Sequence, residues 1–201
     1  MNAHASITLP AIGAAFEGGF FTGRFALDGK IYALIVSPKA NGEHDDIAYG
    51  EYGQEIAGAG SFNDGMANTI AMADAGSDMA RWALNLNIDG HTDWYIPSRD
   101  ELELMYRNLK PTTRSNYVYR HGENPSSVPV GYPYTEESPA QTSVEDFQSG
   151  GAEAFEDEWY WSSSQFSAYY AWLQYFIDGT QYGDGKSDEF RARAVRRLII
   201  Q

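Results

Sequence analysis

The 201-residue chain contains no cysteine. That absence excludes disulfide staples, thiolate metal sites, thiol nucleophiles and iron–sulfur ligation together. Basic residues are scarce: 14 Lys and Arg stand against 28 Asp and Glu, a formal charge of -14. Such a surface repels phosphate backbones and anionic bilayers, so nucleic acid is not expected as a partner. Histidine is scarce too. His4, His44, His91 and His121 are scattered, none at the helical spacing a metal site uses, and no EF-hand loop is present. No run approaches the roughly 20 apolar residues that cross a bilayer. Met1 to Pro10 lacks the basic-then-apolar pattern of a secretory signal. Neither membrane insertion nor a signal peptide is expected.

What is present is core material. Hydrophobic residues make up 43% and aromatics 14%, while 20 glycines and 8 prolines indicate many turns. Phe20 to Leu27 and Ile31 to Val36 read as a hairpin around Asp28-Gly29, a pair suited to a type I′ turn, with Pro38 ending it. Asn41 to Gly60 is glycine-rich and acidic and reads as surface loop. From Asp64 to Leu86 the apolar positions Met66, Ile70, Ala73, Met79, Trp82, Ala83 and Leu86 recur at helical spacing, with Gly76 as a break. Asp89-Gly90 is a turn. Ser98-Arg-Asp-Glu101 is a capping box, followed by the stripe Leu102, Met105, Tyr106, Leu109 and closed by Pro111.

Residues 111–142 form a long, proline-marked loop, for which Tyr117, Tyr119, Tyr132 and Tyr134 offer packing. A short helix is expected over Ser143 to Gln148. The last part reads as β: Ala171 to Ile177, a turn at Asp178-Gly179, a return over Thr180 to Tyr182, a turn at Gly183 to Lys186, and a final strand from Ala192 to Ile200. Arg191, Arg193, Arg196 and Arg197 on that strand are expected to pair with acidic groups. The order of elements predicts an α+β fold.

The chemistry-bearing patterns are few. Gly183-Asp-Gly-Lys-Ser187 lacks the upstream glycine and the strand-to-helix context of a phosphate loop, and no Gly-x-Ser-x-Gly elbow exists. No catalytic residue and no cofactor are assigned. Calcium among loop carboxylates, near Asp184 and Asp188 or Asp45 and Asp46, has no motif behind it. Paired carboxylates for glycan hydrolysis stay open, since only their separation in space identifies them. The dense feature is aromatic: Trp159 to Tyr182 holds ten rings. Strand alternation places Trp172, Gln174 and Phe176 on one face and Leu173, Tyr175 and Ile177 on the other. One face is core; a minority of rings is expected at the surface, as in contact surfaces that use rigid amphipathic side chains. The candidate ligand-binding residues are Tyr169, Tyr170, Gln174, Tyr175, Tyr182, Asp184, Lys186 and Asp188.

The segment His91 to Tyr106 (HTDWYIPSRDELELMY) resembles the W-x-(I/L)-P-(S/T)-x-x-E-L element of DUF1566, or Lcl C-terminal-like, domains. Trp159-Tyr-Trp-Ser-Ser-Ser164, Ala171-Trp172 through Phe176 and Asp178-Gly179, Lys186-Ser187 and Arg193-Ala-Val-Arg196 are similar to that family's C-terminal signature. The resemblance covers about residues 64 to 201. It implies a C-type-lectin-like fold: two helices on a small twisted antiparallel sheet with long loops, here with an N-terminal β-hairpin. It divides the chain into an elaboration over residues 1–60 and the main domain over 61–201. Glu17 to Arg24 and Ala33 to Lys39 resemble phage-encoded members. Formylglycine-generating enzymes share the wider fold but depend on cysteine, and the lectin calcium motifs are absent. The resemblance therefore implies a non-catalytic virion module, made in the bacterial cytoplasm, that binds a host cell-surface glycan or protein alongside other virion proteins. Homo-oligomerisation, as a trimer, is the expectation on avidity grounds. A glycan hydrolase and a purely structural virion subunit are the alternatives.

Overall fold

The computed structural model describes residues 7–119 and 121–201, so His4 lies outside the described residues. The fold is α+β, with two sheets and, among the described residues, four α-helices where the resemblance implied two. The first sheet has the order β1-β2-β3-β9, from Ala15–Phe16, Gly19–Leu27, Lys30–Val36 and Val195–Ile199. The second has the order β4-β8-β5-β6-β7, from Glu43–Ala48, Glu189–Arg193, Trp159–Gln165, Tyr170–Tyr175 and Gln181–Gly185. Its β5–β8 pair is parallel, a departure from the antiparallel sheet expected.

The N-terminal hairpin forms as read. Asp28 and Gly29 both take positive φ, 49° and 73°, as a type I′ turn requires. β3 then pairs with β9 from Tyr32↔Ile199 to Val36↔Val195. The first 60 residues thus supply strands to both sheets and interleave with the C-terminal strands.

Four other expectations change. Asn41 to Gly60 is not all surface loop: it contains β4, and Tyr49, Ile56 and Ala59 are buried. The strand has no apolar alternation to reveal it, because cross-strand charge supports it: Glu43 is opposite Arg193, and Arg191 reaches Glu43 at 3.2 Å. The final strand divides at Ala194, where the chain passes from the second sheet to the first. β7 runs through Gly185, so the turn falls at residues 186–188. The helix expected at Ser143 to Gln148 is a 3-10 turn, Glu145–Phe147.

Gly76 does separate two helices, α2 (Gly65–Asp74) and α3 (Asp78–Leu84); α1 is a single turn, Lys39–Gly42. α2 buries Asn68, Thr69 and Met72 and leaves Ile70 exposed. The reason is polar: Asn68 donates to the Ser61 carbonyl at 2.7 Å, and Thr69 exchanges hydrogen bonds with the Ile96 backbone. An unpaired buried backbone group costs about 1–3 kcal/mol, which outweighs exposing one isoleucine.

α4 (Arg99–Leu109) carries the complete capping box, with the Ser98 amide donating to Glu101 at 2.7 Å. Leu102, Met105, Tyr106 and Leu109 enter the main core beside Phe155, Tyr160 and Phe176. The loop 111–142 is held by polar anchors together with the buried Tyr134, whose hydroxyl donates to Glu103 at 2.8 Å. Tyr117, Tyr119 and Tyr132 are exposed and only Tyr134 of the four is buried. Asn116 accepts from Lys110 and Tyr106, and Asn124 donates to Glu103 at 2.6 Å.

Candidate functional site: an aromatic edge

The β6–β7 hairpin ends the second sheet, so β7 is an edge strand. Its turn is fixed from beneath. A Cβ on Gly179, at φ 80°, would lie 2.5 Å from the Tyr106 ring and 2.7 Å from the Tyr134 ring. Only glycine lets the turn rest on those rings. The register places Trp172 opposite Gly183 and Gln174 opposite Gln181. With no side chain at Gly183, the Phe166 ring can lie close over the strand.

On this face Trp172 is boxed by neighbours. The Phe166 ring meets it edge-on at 5.1 Å, and Phe62 does so at 6.2 Å. The Arg99 guanidinium lies 4.7 Å from the Trp172 ring and 4.8 Å from Phe62. Its Nε and Nη2 both donate to Gln181 Oε1, at 3.1 and 2.9 Å. Stacking and the double hydrogen bond together hold the guanidinium in one orientation.

Phe166, Tyr170, Trp172, Gln181, Tyr182 and Asp184 contribute to a shallow cavity of 440 Å³. Beside it Tyr52 packs against Tyr169 at 5.1 Å and Tyr170 at 6.4 Å. Phe166 is 60% exposed, Tyr182 59%, Tyr52 57% and Tyr169 50%. Soluble proteins seldom leave so many large rings adjacent at the surface unless they serve contact.

Of the residues expected from sequence, Tyr170, Tyr182 and Asp184 come together at this cavity, with Tyr169 adjoining. Tyr175 is half-buried and stacks on Trp159 at 4.7 Å, with Tyr182 6.5 Å from that same ring. Asp188 is exposed at the turn after β7. Gln174 and Lys186 are corrections, since both are fully buried. Gln174 Nε2 donates to the Tyr134 hydroxyl and the Gly179 carbonyl, each at 3.3 Å. Lys186 donates to the Gln54 carbonyl at 2.7 Å and to Gln165, and desolvation lowers its pKa to about 8. Both serve the interior.

Sequence reasoning missed Arg99, Phe62 and Tyr52. Arg99 was visible only as the second residue of a capping box, and the other two lie far away in loops. Nothing in their local pattern marks them.

The perturbed carboxylates lie elsewhere. Burial raises Asp100, Glu101, Glu103 and Glu43 above the ordinary carboxylate range. Each is engaged within the fold: Asp100 accepts from Ser126 at 2.6 Å, Glu101 from Tyr95 at 2.6 Å, Glu103 from Tyr134 at 2.8 Å, and Glu43 pairs with Arg191. The arginines expected to pair internally do so, Arg193 with Glu153, Arg196 with Asp93 and Arg197 with Asp64. Among the described residues no group of three or more His, Asp or Glu is placed to hold a metal ion. No described helix is long and apolar enough to cross a membrane.

The family model for the Lcl C-terminal domain matches residues 63–196. No curated protein matches the chain.

Proposed function

The chain belongs to the Lcl C-terminal domain family, and from that premise we propose that it is a non-catalytic recognition module whose contact surface is the aromatic edge. The observation that carries this reading is the Arg99 guanidinium held between Phe62 and Trp172, beside the exposed rings of Phe166, Tyr170 and Tyr182. Aromatic faces and an oriented guanidinium suit a host cell-surface glycan, by stacking and hydrogen bonding, or a protein surface. The rigid two-sheet scaffold supports loops that can differ in sequence without loss of the core.

The non-catalytic reading is supported by the placement of the acidic groups. Glycan hydrolysis uses two carboxylates flanking the scissile bond; the residues lining the aromatic cavity include one, Asp184. A C-type-lectin-like arrangement and a place in a phage virion, with trimers adding avidity, extend the proposal. They rest on the resemblances of residues 64 to 201 and of the N-terminal segments.

The test uses purified bacterial surface polysaccharides, with binding and reducing-end release measured in parallel. Saturable binding without new reducing ends, abolished in the Phe166→Ala, Tyr170→Ala double variant, is expected. Reducing ends that disappear in Asp184→Asn would replace recognition with hydrolysis.

A further inference from the structure

A second cavity, of 540 Å³, lies between β2, α4 and the loop segment that includes Ser127 to Tyr132. It shares no lining residue with the aromatic cavity. Its volume falls within the range of small-molecule sites. Phe21, Leu104, Val128 and Val130 give it apolar walls, and Val130 is 66% exposed.

The charge at this cavity is the reverse of the chain's. In a protein of net charge -14, Arg24 and Arg107 line it and no Asp or Glu does. Arg107 is balanced from inside by Glu103 at 2.8 Å, and its Nε and Nη2 are committed to Glu103 and to the Gly122 and Tyr132 carbonyls. Its Nη1 is buried and has no hydrogen-bond partner. Arg24 is exposed and has no ion pair among the described residues. One guanidinium is thus uncompensated and the other is a hydrogen-bond donor short of an acceptor.

We propose that this cavity binds a small organic anion with an apolar body, its carboxylate or sulfonate recognised by the exposed Arg24, with Arg107 in the wall adding no opposing charge, and its body by Phe21, Leu104 and Val130. A neutral molecule of the same shape gains only the apolar contact. A hydrated inorganic anion gains only the charge.

The test titrates the whole chain with anilinonaphthalene sulfonate and with its uncharged counterpart N-phenylnaphthylamine, following fluorescence and backbone amide shifts. Saturable binding of the sulfonate is expected, with shifts at Gly23, Val130 and Gly131, and affinity for the neutral probe lower by about tenfold or more. Arg24→Glu should weaken the sulfonate by a similar factor, and Arg24→Gln by less. Both substitute an exposed side chain, and a thermal melt of each establishes that it folds. The Phe166→Ala, Tyr170→Ala variant should bind the sulfonate unchanged, so this inference and the aromatic reading fail separately. Equal affinity for both probes, indifference to Arg24→Glu, or loss of the signal in the aromatic variant overturns the proposal.

Discussion

Arg193 and Arg99 each lie against two aromatic rings, and they differ in what balances the charge. Arg193 is 4.8 Å from the Phe155 ring and 5.6 Å from Phe147, fully buried, and meets Glu153 at 2.7 Å and Glu43 at 3.7 Å. Arg99 has comparable ring distances, but it is half-buried and its partner is the neutral Gln181. Inside the fold a guanidinium must bring carboxylates with it, because an isolated buried charge costs several kcal/mol. At the edge, water supplies that balance and a ligand can take its place. The same pair of residue types is architecture in one region and, in the proposed reading, a contact surface in the other.

The largest expected effect breaks the interior half of that contrast. Arg193→Met should lower stability by about 3–5 kcal/mol, because Glu153 loses its guanidinium partner and the buried Glu43 keeps only Arg191; urea unfolding measures it. Tyr134→Phe comes next, at about 1–3 kcal/mol. It removes the hydroxyl that donates to Glu103 and accepts from Gln174, so the long loop loses an anchor to α4. Far-UV signal should survive while the loop becomes protease-sensitive.

A pH series sharpens the comparison further. Desolvation raises Asp100, Glu101, Glu103 and Glu43 in the folded state. These four groups therefore hold more protons in the folded than in the unfolded chain above the ordinary carboxylate range, and their contribution to stability falls as pH rises through the raised values, against the smaller opposing effect of His121, whose pKa burial lowers. Each group contributes at most about 1.4 kcal/mol per pH unit. The melting temperature should rise on going from neutral to mildly acidic solution and fall again once surface carboxylates in ion pairs are protonated. A rise that shrinks in Glu101→Gln and again with each further buried-acid substitution would apportion the effect.

The smallest effect on stability belongs to the edge. Tyr182→Ala should change stability by about 0.5 kcal/mol or less, since more than half of the side chain is already in water.

The two regions also differed in how far the sequence disclosed them. Local rules found the hairpin at Asp28-Gly29, the capping box at Ser98, the break at Gly76 and the pairing of the late arginines, because each rests on near neighbours or on charge balance. The exposed rings Tyr169, Tyr170 and Tyr182 were identified from density alone. Periodicity failed where polar contacts decided burial: Ile70 faces out because Asn68 and Thr69 are needed inside, and Gln174 and Lys186 go inward to satisfy loop carbonyls. β4 stayed hidden because Ile47 is its single large apolar residue and charge pairs supply much of the rest. The Arg99 stack joins three segments distant in the chain, a juxtaposition no spacing rule can read.

Adsorption of the fluorescently labelled chain to a panel of bacterial cells, beside the Phe166→Ala, Tyr170→Ala variant, tests the central claim most directly. The account predicts saturable adsorption to at least one strain and a loss of about tenfold or more in the variant, with its melting temperature unchanged. Adsorption that survives the double substitution, or a variant that unfolds because those rings belong to the core, would contradict it.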